Sequence, residues 1–396
     1  MSRLFLIIGI LLLLATEILR VYFIMPFPGS QHSNTIEWAY WIEKYKWVLR
    51  IIGIILIAGP LYRIFSSKGK RFLKILLSAI IILYAVIFFF FNFKFEADKM
   101  FYQPSIKNFS DIKENKMDSD KLVIGVEING QSRAYPIQII GYHHQVRDTV
   151  GNTPIMVTYC TVCRTGRVYS PLVNGKAETF RLVGMDHFNA MFEDATTKSW
   201  WQQATGMAIA GPLKGSHLEE ISSHQSSLAS WLRLHPNSTI LQPDSNFKDE
   251  YDDLADFDKG TIKGNLEKRD SASWKKKSWV VGVKTGGLEK AYDWNDLLKS
   301  NFIQDTIGNK TVLLVLEKDT SSFHVFNRVL NGQILFFIPN QVTDQLTDSN
   351  THSIWTQDGL CVSGSLKDAK LEPLASYQEF WHSWKQFHPY TTQYKP

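Results

Sequence analysis

The sequence predicts an α+β protein: a β-rich soluble region built as a tandem duplication and preceded by three transmembrane α-helices. Three observations predict it. The first hundred of the 396 residues hold three long apolar runs, whereas the rest has an ordinary polar–apolar mix. Five blocks of the remaining sequence recur in the same order. Within each copy, short β-branched runs are separated by tight-turn dipeptides.

The apolar runs cover about residues 4–24, 47–64 and 72–92, each near the ~20 residues that cross a bilayer core. A cleaved signal peptide is the alternative for the first run. Glu17 and Arg20, the lack of a small-residue cleavage site and the two runs that follow argue against it. Arg50, Pro60 and Arg63 interrupt the second run, and both arginines lie close enough to an end to snorkel. Lys68, Lys70, Arg71 and Lys74 mark a cytoplasmic loop, because basic loops are retained on that side. The N-terminus is then cytoplasmic and the soluble region lies outside the cytoplasm. Residues 25–46 also fall outside, where Trp38, Tyr40 and Trp41 suit a membrane interface. The lipid bilayer is the expected partner. The net charge of +5 is modest and gives no reason to expect nucleic acid, and no protein partner can be read from it.

The duplication is read from aligned blocks. Val123–Pro136 faces Val280–Asp293, Asp148–Asn152 faces Asp305–Asn309, and Asn174-Gly175 faces Asn331-Gly332, all at one offset without a gap. Over Val123–Gly175, 13 of 53 positions are identical, well above the few that chance supplies. Ser199–Gly215 then faces Ser353–Asp368, and Trp231 with His235-Pro236 faces Trp384 with His388-Pro389. The implied organisation is a membrane anchor over 1–95, a connector over 96–120, copy one over 121–245, a polar linker over 246–277 and copy two over 278–396. Each copy opens with a hairpin, in copy one through Asn129-Gly130. A short helical stretch, further strands and a closing helix that stops at a proline follow.

Residues present in one copy only are the best candidates for chemistry. Copy one carries Cys160-Thr-Val-Cys163-Arg164, where copy two has Glu317 to Ser321, and His143-His144, where copy two has Ser300-Asn301. Two cysteines three apart can ligate a soft or borderline metal as thiolates. They can cycle between dithiol and disulfide beside a cation such as Arg164. They can also form a static disulfide or sit as buried inert thiols. Arg164 in the fifth position argues against covalent c-type haem. Candidate metal ligands are therefore Cys160, Cys163, His144, His143 and His187, the last beside Asp186, Glu193 and Asp194, and the candidate cofactor is a transition-metal ion, copper or zinc. Asp148, Tyr159, Trp201 and Gln203 are supporting residues. Asp148 and the Trp-x-Gln element recur in copy two and read mainly as scaffold. Cys361, opposite Ala208, reads as a small core residue. His235 and His388 read as helix-end residues whose partial charge suits the dipole.

At Ala134–Pro136, at His144 with Val146 and Asp148, at Pro154–Gly166 and at Ser199–Gly215, the chain resembles a bacterial family known as domain of unknown function 3179. The resemblance covers copy one well and most of the soluble region more loosely. The family pattern has proline and glycine around the second cysteine, where this chain has Thr161 and Arg164, and an acid where it has Gln145. It implies no particular reaction. The functional expectation is a membrane-anchored extracytoplasmic protein with a metal-binding or metal-linked redox site at the C-x-x-C. The alternatives are a non-enzymatic binding or scaffold module with a structural disulfide, and a thiol–disulfide oxidoreductase. Enzymatic activity is left open.

Overall fold

A computed structural model describes residues 2–340 and 344–396. The chain is mixed α+β and forms two compact units. One contains the chain up to Tyr102 with Glu178–Gln202 and Gly206–His217, and the other contains Gln103–Ala177, Gln203–Thr205 and the chain from Leu218 onward.

In the first unit, three helices are long and apolar enough to cross a membrane: α1 (Ser2–Tyr22), α2 (Ile36–Ser66) and α3 (Arg71–Phe93). Helix α2 starts eleven residues before the second apolar run. Residues 36–46 contain no glycine or proline to stop it, so the helix grows to 31 residues, about 46 Å at 1.5 Å per residue. Trp38, Tyr40 and Trp41 therefore lie on a helix and not in a loop. Gly9 and Gly53 let α1 and α2 approach closely. A Cβ on Gly9 would lie 2.5 Å from Ile57, and one on Gly53 would lie 2.7 Å from Leu13.

Arg50 does not snorkel, contrary to the sequence expectation. It is buried and donates from Nε and Nη2 to the two oxygens of Glu17, each at 2.7 Å. Arg20 donates to Glu43 at 3.0 Å, Glu96 at 2.8 Å and the Asn92 side chain at 2.8 Å, and Asn92 donates to Glu17 at 2.9 Å. A charge within a helix bundle persists when another charge and hydrogen bonds complete it. Here α1, α2 and α3 each supply part of one network.

The same unit holds a four-stranded antiparallel sheet, in the order Ala208–Ala210, Trp200–Gln202, Asn189–Asp194 and Phe180–Asp186. It is tied to the helices. Met185 N donates to Ile24 O at 2.6 Å, Tyr40 meets Trp200 edge-on at 5.1 Å, and Arg181 lies 3.8 Å from Glu43.

The second unit shows two runs of elements with the same order and register. Hairpin Leu122–Ile128/Gln131–Pro136 pairs Val123 with Pro136 and Ile128 with Gln131, turning through Asn129 and Gly130 at positive φ. Hairpin Trp279–Thr285/Leu288–Asp293 pairs Val280 with Asp293 and Thr285 with Leu288. Helices α4 (Ile137–His143) and α5 (Trp294–Ser300) follow, and each ends on a left-handed residue with φ 59°, His144 and Asn301. Three-stranded sheets come next: Gln145–Val150, Thr153–Cys160 and Thr165–Tyr169 in one run, Phe302–Ile307, Lys310–Leu316 and Phe323–Asn327 in the other.

The closing helices, Leu228–Leu234 and Trp381–Phe387, each lay a tryptophan over a strand glycine. A Cβ on Gly125 would lie 2.3 Å from the Trp231 ring, and one on Gly282 would lie 2.2 Å from the Trp384 ring. His235 and His388 stack on these indoles at 3.8 Å. Burial lowers the pKa of both, to about 3 for His388. Their Nδ1 atoms face carboxylates, Glu289 at 2.7 Å from His388 and Glu127 at 3.4 Å from His235.

Residues 246–277 are packed despite their polarity. They contain a short helix, Lys248–Asp253, and bury Tyr251 and Phe257. Asp258 Oδ2 accepts from Leu122 N at 2.9 Å.

Candidate functional site

From Ile155 to Cys160 the strand is wholly buried, as its apolar, β-branched sequence dictates. It turns through Thr161–Arg164, with Arg164 at φ 54°, and Cys160 pairs with Thr165 across the hairpin. The C-x-x-C is thus a hairpin tip. Cys160 and Cys163 are both fully buried.

The tip lies against residues that open and close the second hairpin run. Phe380 N donates to Cys163 O at 3.0 Å, and Lys277 Nζ and His382 Nε2 donate to Val162 O at 2.6 and 3.2 Å. The Thr165 and Ser383 hydroxyls lie 3.2 Å apart. Burial pushes the Cys163 thiol well up, and its hydrogen bond with Cys160 pushes the same way. The Ser383 hydroxyl and the Lys277 ammonium pull it down. Burial lowers the Lys277 pKa, against the attraction of the two sulfurs. His382, held at about 3 chiefly by burial, is a neutral ring.

Arg164 is buried. Its guanidinium donates to Gln378 Oε1 at 2.8 Å and to the carbonyls of Phe257 and Asp258, and it lies 3.8 Å above the Trp279 ring. Lys277 reaches the tip at the Val162 carbonyl, where its charge favours the Cys163 thiolate. Lys277, His382 and Ser383 were missed in the sequence reading. Lys277 ends the Lys275–Lys277 run that reads as linker, and the other two sit in a closing helix.

Of the histidines, His144 donates from Nδ1 to Tyr159 O at 3.0 Å and is held at about 4 chiefly by burial. His143 Nε2 is 2.6 Å from the Tyr251 hydroxyl. His187 belongs to the other unit, where Nδ1 lies 2.6 Å from Asp186 and that hydrogen bond raises its pKa. Among the described residues no group of three or more His, Cys, Asp or Glu side chains is placed to hold a metal ion.

The supporting residues hold the frame. Asp148 accepts from Tyr135 at 2.6 Å and pairs with Arg133, and Asp305 accepts from Tyr292 at 2.9 Å and pairs with Lys290. Gln203 Nε2 donates to Thr158 Oγ1 and Thr165 O, bracing the base of the tip. The Tyr159 ring stands edge-on to Phe257 at 5.8 Å. Trp201 donates to Asp194 at 2.9 Å, as Trp355 does to Asp348. Cys361 is buried in an apolar cluster with Trp355 and Phe337.

The corresponding tip of the second run, at Glu317–Ser322, lies against helix Leu228–Leu234. Glu317 accepts from Ser230 at 2.7 Å, from Arg233 at 2.8 and 3.0 Å and meets His324 at 2.6 Å, while Ser227 N donates to Ser322 Oγ at 2.9 Å. Each tip is therefore keyed into the start of the other run's closing helix. Where one tip places thiols, the other places a carboxylate.

A family model, Protein of unknown function (DUF3179), matches residues 102–391. The chain belongs to this family. The DUF3179 region takes in both tips and both Trp–Gly contacts and leaves out α1, α2 and α3. No curated protein and no solved structure matches the chain.

The carboxylate tip makes the protein acid-sensitive. Burial raises the Glu317 pKa, but hydrogen bonds from His324, Arg233 and Ser230 outweigh it and leave the group at about 2, below its ordinary 4.5. A depressed folded pKa adds stability that is present above pH 4.5 and is lost as pH falls toward 2. Thermal melts between those pH values should therefore show a steep loss in wild type and a flatter curve in Glu317→Gln. Parallel curves would remove Glu317 from this role.

Proposed function

We propose that this DUF3179 protein is a membrane-held extracytoplasmic module whose soluble region is a tandem duplication carrying a gated dithiol–disulfide centre at Cys160 and Cys163. The basic loop between α2 and α3 supports the topology. Matching hairpin registers, left-handed helix ends and Trp–Gly contacts in the two runs support the duplication.

The observation that carries the redox reading is the placement of Cys160 and Cys163 on one buried hairpin tip whose Val162 and Cys163 carbonyls are held by Lys277 Nζ and the Phe380 amide. A thiolate on one cysteine attacks an incoming protein or small-molecule disulfide, breaking its S–S bond and releasing one sulfur as a thiolate. The second cysteine displaces the other sulfur and closes the Cys160–Cys163 bond. Two electrons pass to the partner, and the two cysteine protons end on its two thiols. Lys277 and Ser383 stabilise the thiolate stage. Burial keeps the pair protonated and out of reach until the tip withdraws, which makes the centre gated.

Full-length protein equilibrated in glutathione buffers and trapped with a mass-tagged alkylator should lose both thiols in one cooperative step. Lys277→Met should slow that exchange about threefold for each unit by which the thiol pKa rises, because the smaller thiolate fraction is partly offset by the greater nucleophilicity of a more basic thiol. Failure to form the disulfide in oxidising buffer, or an unchanged rate in Lys277→Met, would overturn the reading. The bonds to the Val162 and Cys163 carbonyls favour a second reading, a purely structural latch. In that case Cys160→Ser/Cys163→Ser lowers the melting temperature and no redox step is seen.

A further inference from the structure

Two sheets of this chain share one cross-strand row, and among the described residues a long helix packs on the first row while Ile338 and Ser363 of the second are exposed and Thr347 and Ile354 half-buried. In the sheet Phe180–Asp186, Asn189–Asp194, Trp200–Gln202, Ala208–Ala210, the row Arg181–Glu193–Trp200–Ala210 runs across four strands. In the sheet Phe337–Asn340, Gln345–Asp348, Ile354–Trp355, Cys361–Ser363, the row Ile338–Thr347–Ile354–Ser363 does the same. Both sheets have a register shift at the same point, between Trp200 and Trp201 and between Ile354 and Trp355. Because directly paired residues point to one side of a sheet, the two rows define equivalent faces.

Helix α2 covers the first row. Tyr40 packs on Trp200, and Glu43 faces Arg181, which is itself paired with Glu193 at 2.8 Å. In the second row the arginine, glutamate and tryptophan are replaced by Ile338, Thr347 and Ile354. Ile338 is 59% exposed, and Phe336, next to its strand, is 53% exposed. The ion pair that matched Glu43 is gone, so this face suits an uncharged, bulky helix surface. The chain has one to offer. On α2, Trp38, Trp41 and Tyr45 follow helical spacing and are exposed at 67%, 51% and 37%, on a side that does not carry Tyr40 and Glu43.

We infer that the outer face of the Phe337–Ser363 sheet is an interface for a second copy of this chain, taking the Trp38–Trp41–Tyr45 side of the partner's α2. The inference rests on the duplication proposed above. Aromatic anchors on an apolar sheet face are the usual core of such contacts, and two reciprocal contacts close a twofold dimer.

The test uses full-length protein in nanodiscs with p-benzoyl-phenylalanine replacing Ile338 and two isotopically distinct copies mixed. A cross-linked dimer should form on illumination, with the link in the partner peptide that contains Trp38–Tyr45. Ile338→Glu in the unlabelled protein should weaken dimerisation about tenfold. A monomer by mass, cross-links to lipid alone, or a dimer untouched by Ile338→Glu overturns the interface. Amide exchange at Leu346 and Trp355 separates the two levels. Protected amides with no dimer reject the interface alone, whereas unprotected amides reject the equivalence of the sheets as well.

Discussion

Arg50→Ala should lower the stability of the three-helix region by about 3–5 kcal/mol, the typical cost of leaving one member of a buried ion pair unpaired. The Glu17 side chain is fully buried and that of Arg50 is 5% exposed. Removing the guanidinium strips two hydrogen bonds from Glu17 and leaves its charge with Arg20 at 3.8 Å, Asn92 and the Tyr84 hydroxyl at 3.2 Å as the remaining polar support. The double variant Glu17→Gln/Arg50→Met removes both charges and should cost markedly less than Arg50→Ala alone. Unfolding in mixed micelles, followed by circular dichroism, reads the difference. A single variant within about 0.5 kcal/mol of wild type, the range of an ordinary surface substitution, would show that the pair is dispensable.

The second large effect is expected at Arg167→Met, again about 3–5 kcal/mol. Arg167 is 1% exposed and lies 2.5 Å from Glu379, which is fully buried, with the Tyr377 ring 3.5 Å away. This pair joins a strand of the first hairpin run to the strand leading into helix Trp381–Phe387. Its loss should loosen the cysteine tip as well as lower global stability. Hydrogen exchange at Phe380, whose amide holds the Cys163 carbonyl, should therefore accelerate in Arg167→Met. Glu379→Gln combined with Arg167→Met closes a double-mutant cycle. A coupling near zero would mean that the two side chains act independently.

These two pairs also show what sequence reading can reach. Arg50 and Arg167 are ordinary arginines in sequence: the first interrupts an apolar run and the second sits in a strand. Periodicity places each on an element, but it does not say what lies opposite. The partner of Arg50 is 33 residues away and that of Arg167 is 212 away. Snorkelling was the reasonable local expectation for Arg50, and packing of α1 against α2 supplied a better-paired site. The same holds for Lys277, which reaches the Val162 carbonyl from 115 residues away, while the adjacent Arg164 turns to Gln378 and Trp279.

Local patterns, by contrast, were legible. Three apolar runs announced three long helices, because a segment that meets lipid or other helices on all sides is apolar all round. Asn129-Gly130 announced a two-residue hairpin, because its positive φ values cost those residues little. The sequence reading matched Cys361 with Ala208, and both are buried residues paired with matching tryptophans, Trp355 and Trp201.

The sequence by itself determined the membrane-type helices, the strand-and-turn grammar of the soluble region and the place of the only closely spaced cysteine pair. Tertiary structure alone decided that α2 begins at Ile36, that Glu17 and Arg50 neutralise each other, and that the cysteine tip meets Lys277 at the Val162 carbonyl and Ser383 at the Thr165 hydroxyl. It also decided that His144 Nδ1 meets the Tyr159 carbonyl, His143 Nε2 the Tyr251 hydroxyl and His187 Nδ1 the Asp186 carboxylate. The physical reason is range. Backbone preference and hydrophobic periodicity act over a few residues and leave a mark in the sequence, whereas the pairing of buried charges and thiols is settled by whichever distant groups the fold brings within reach.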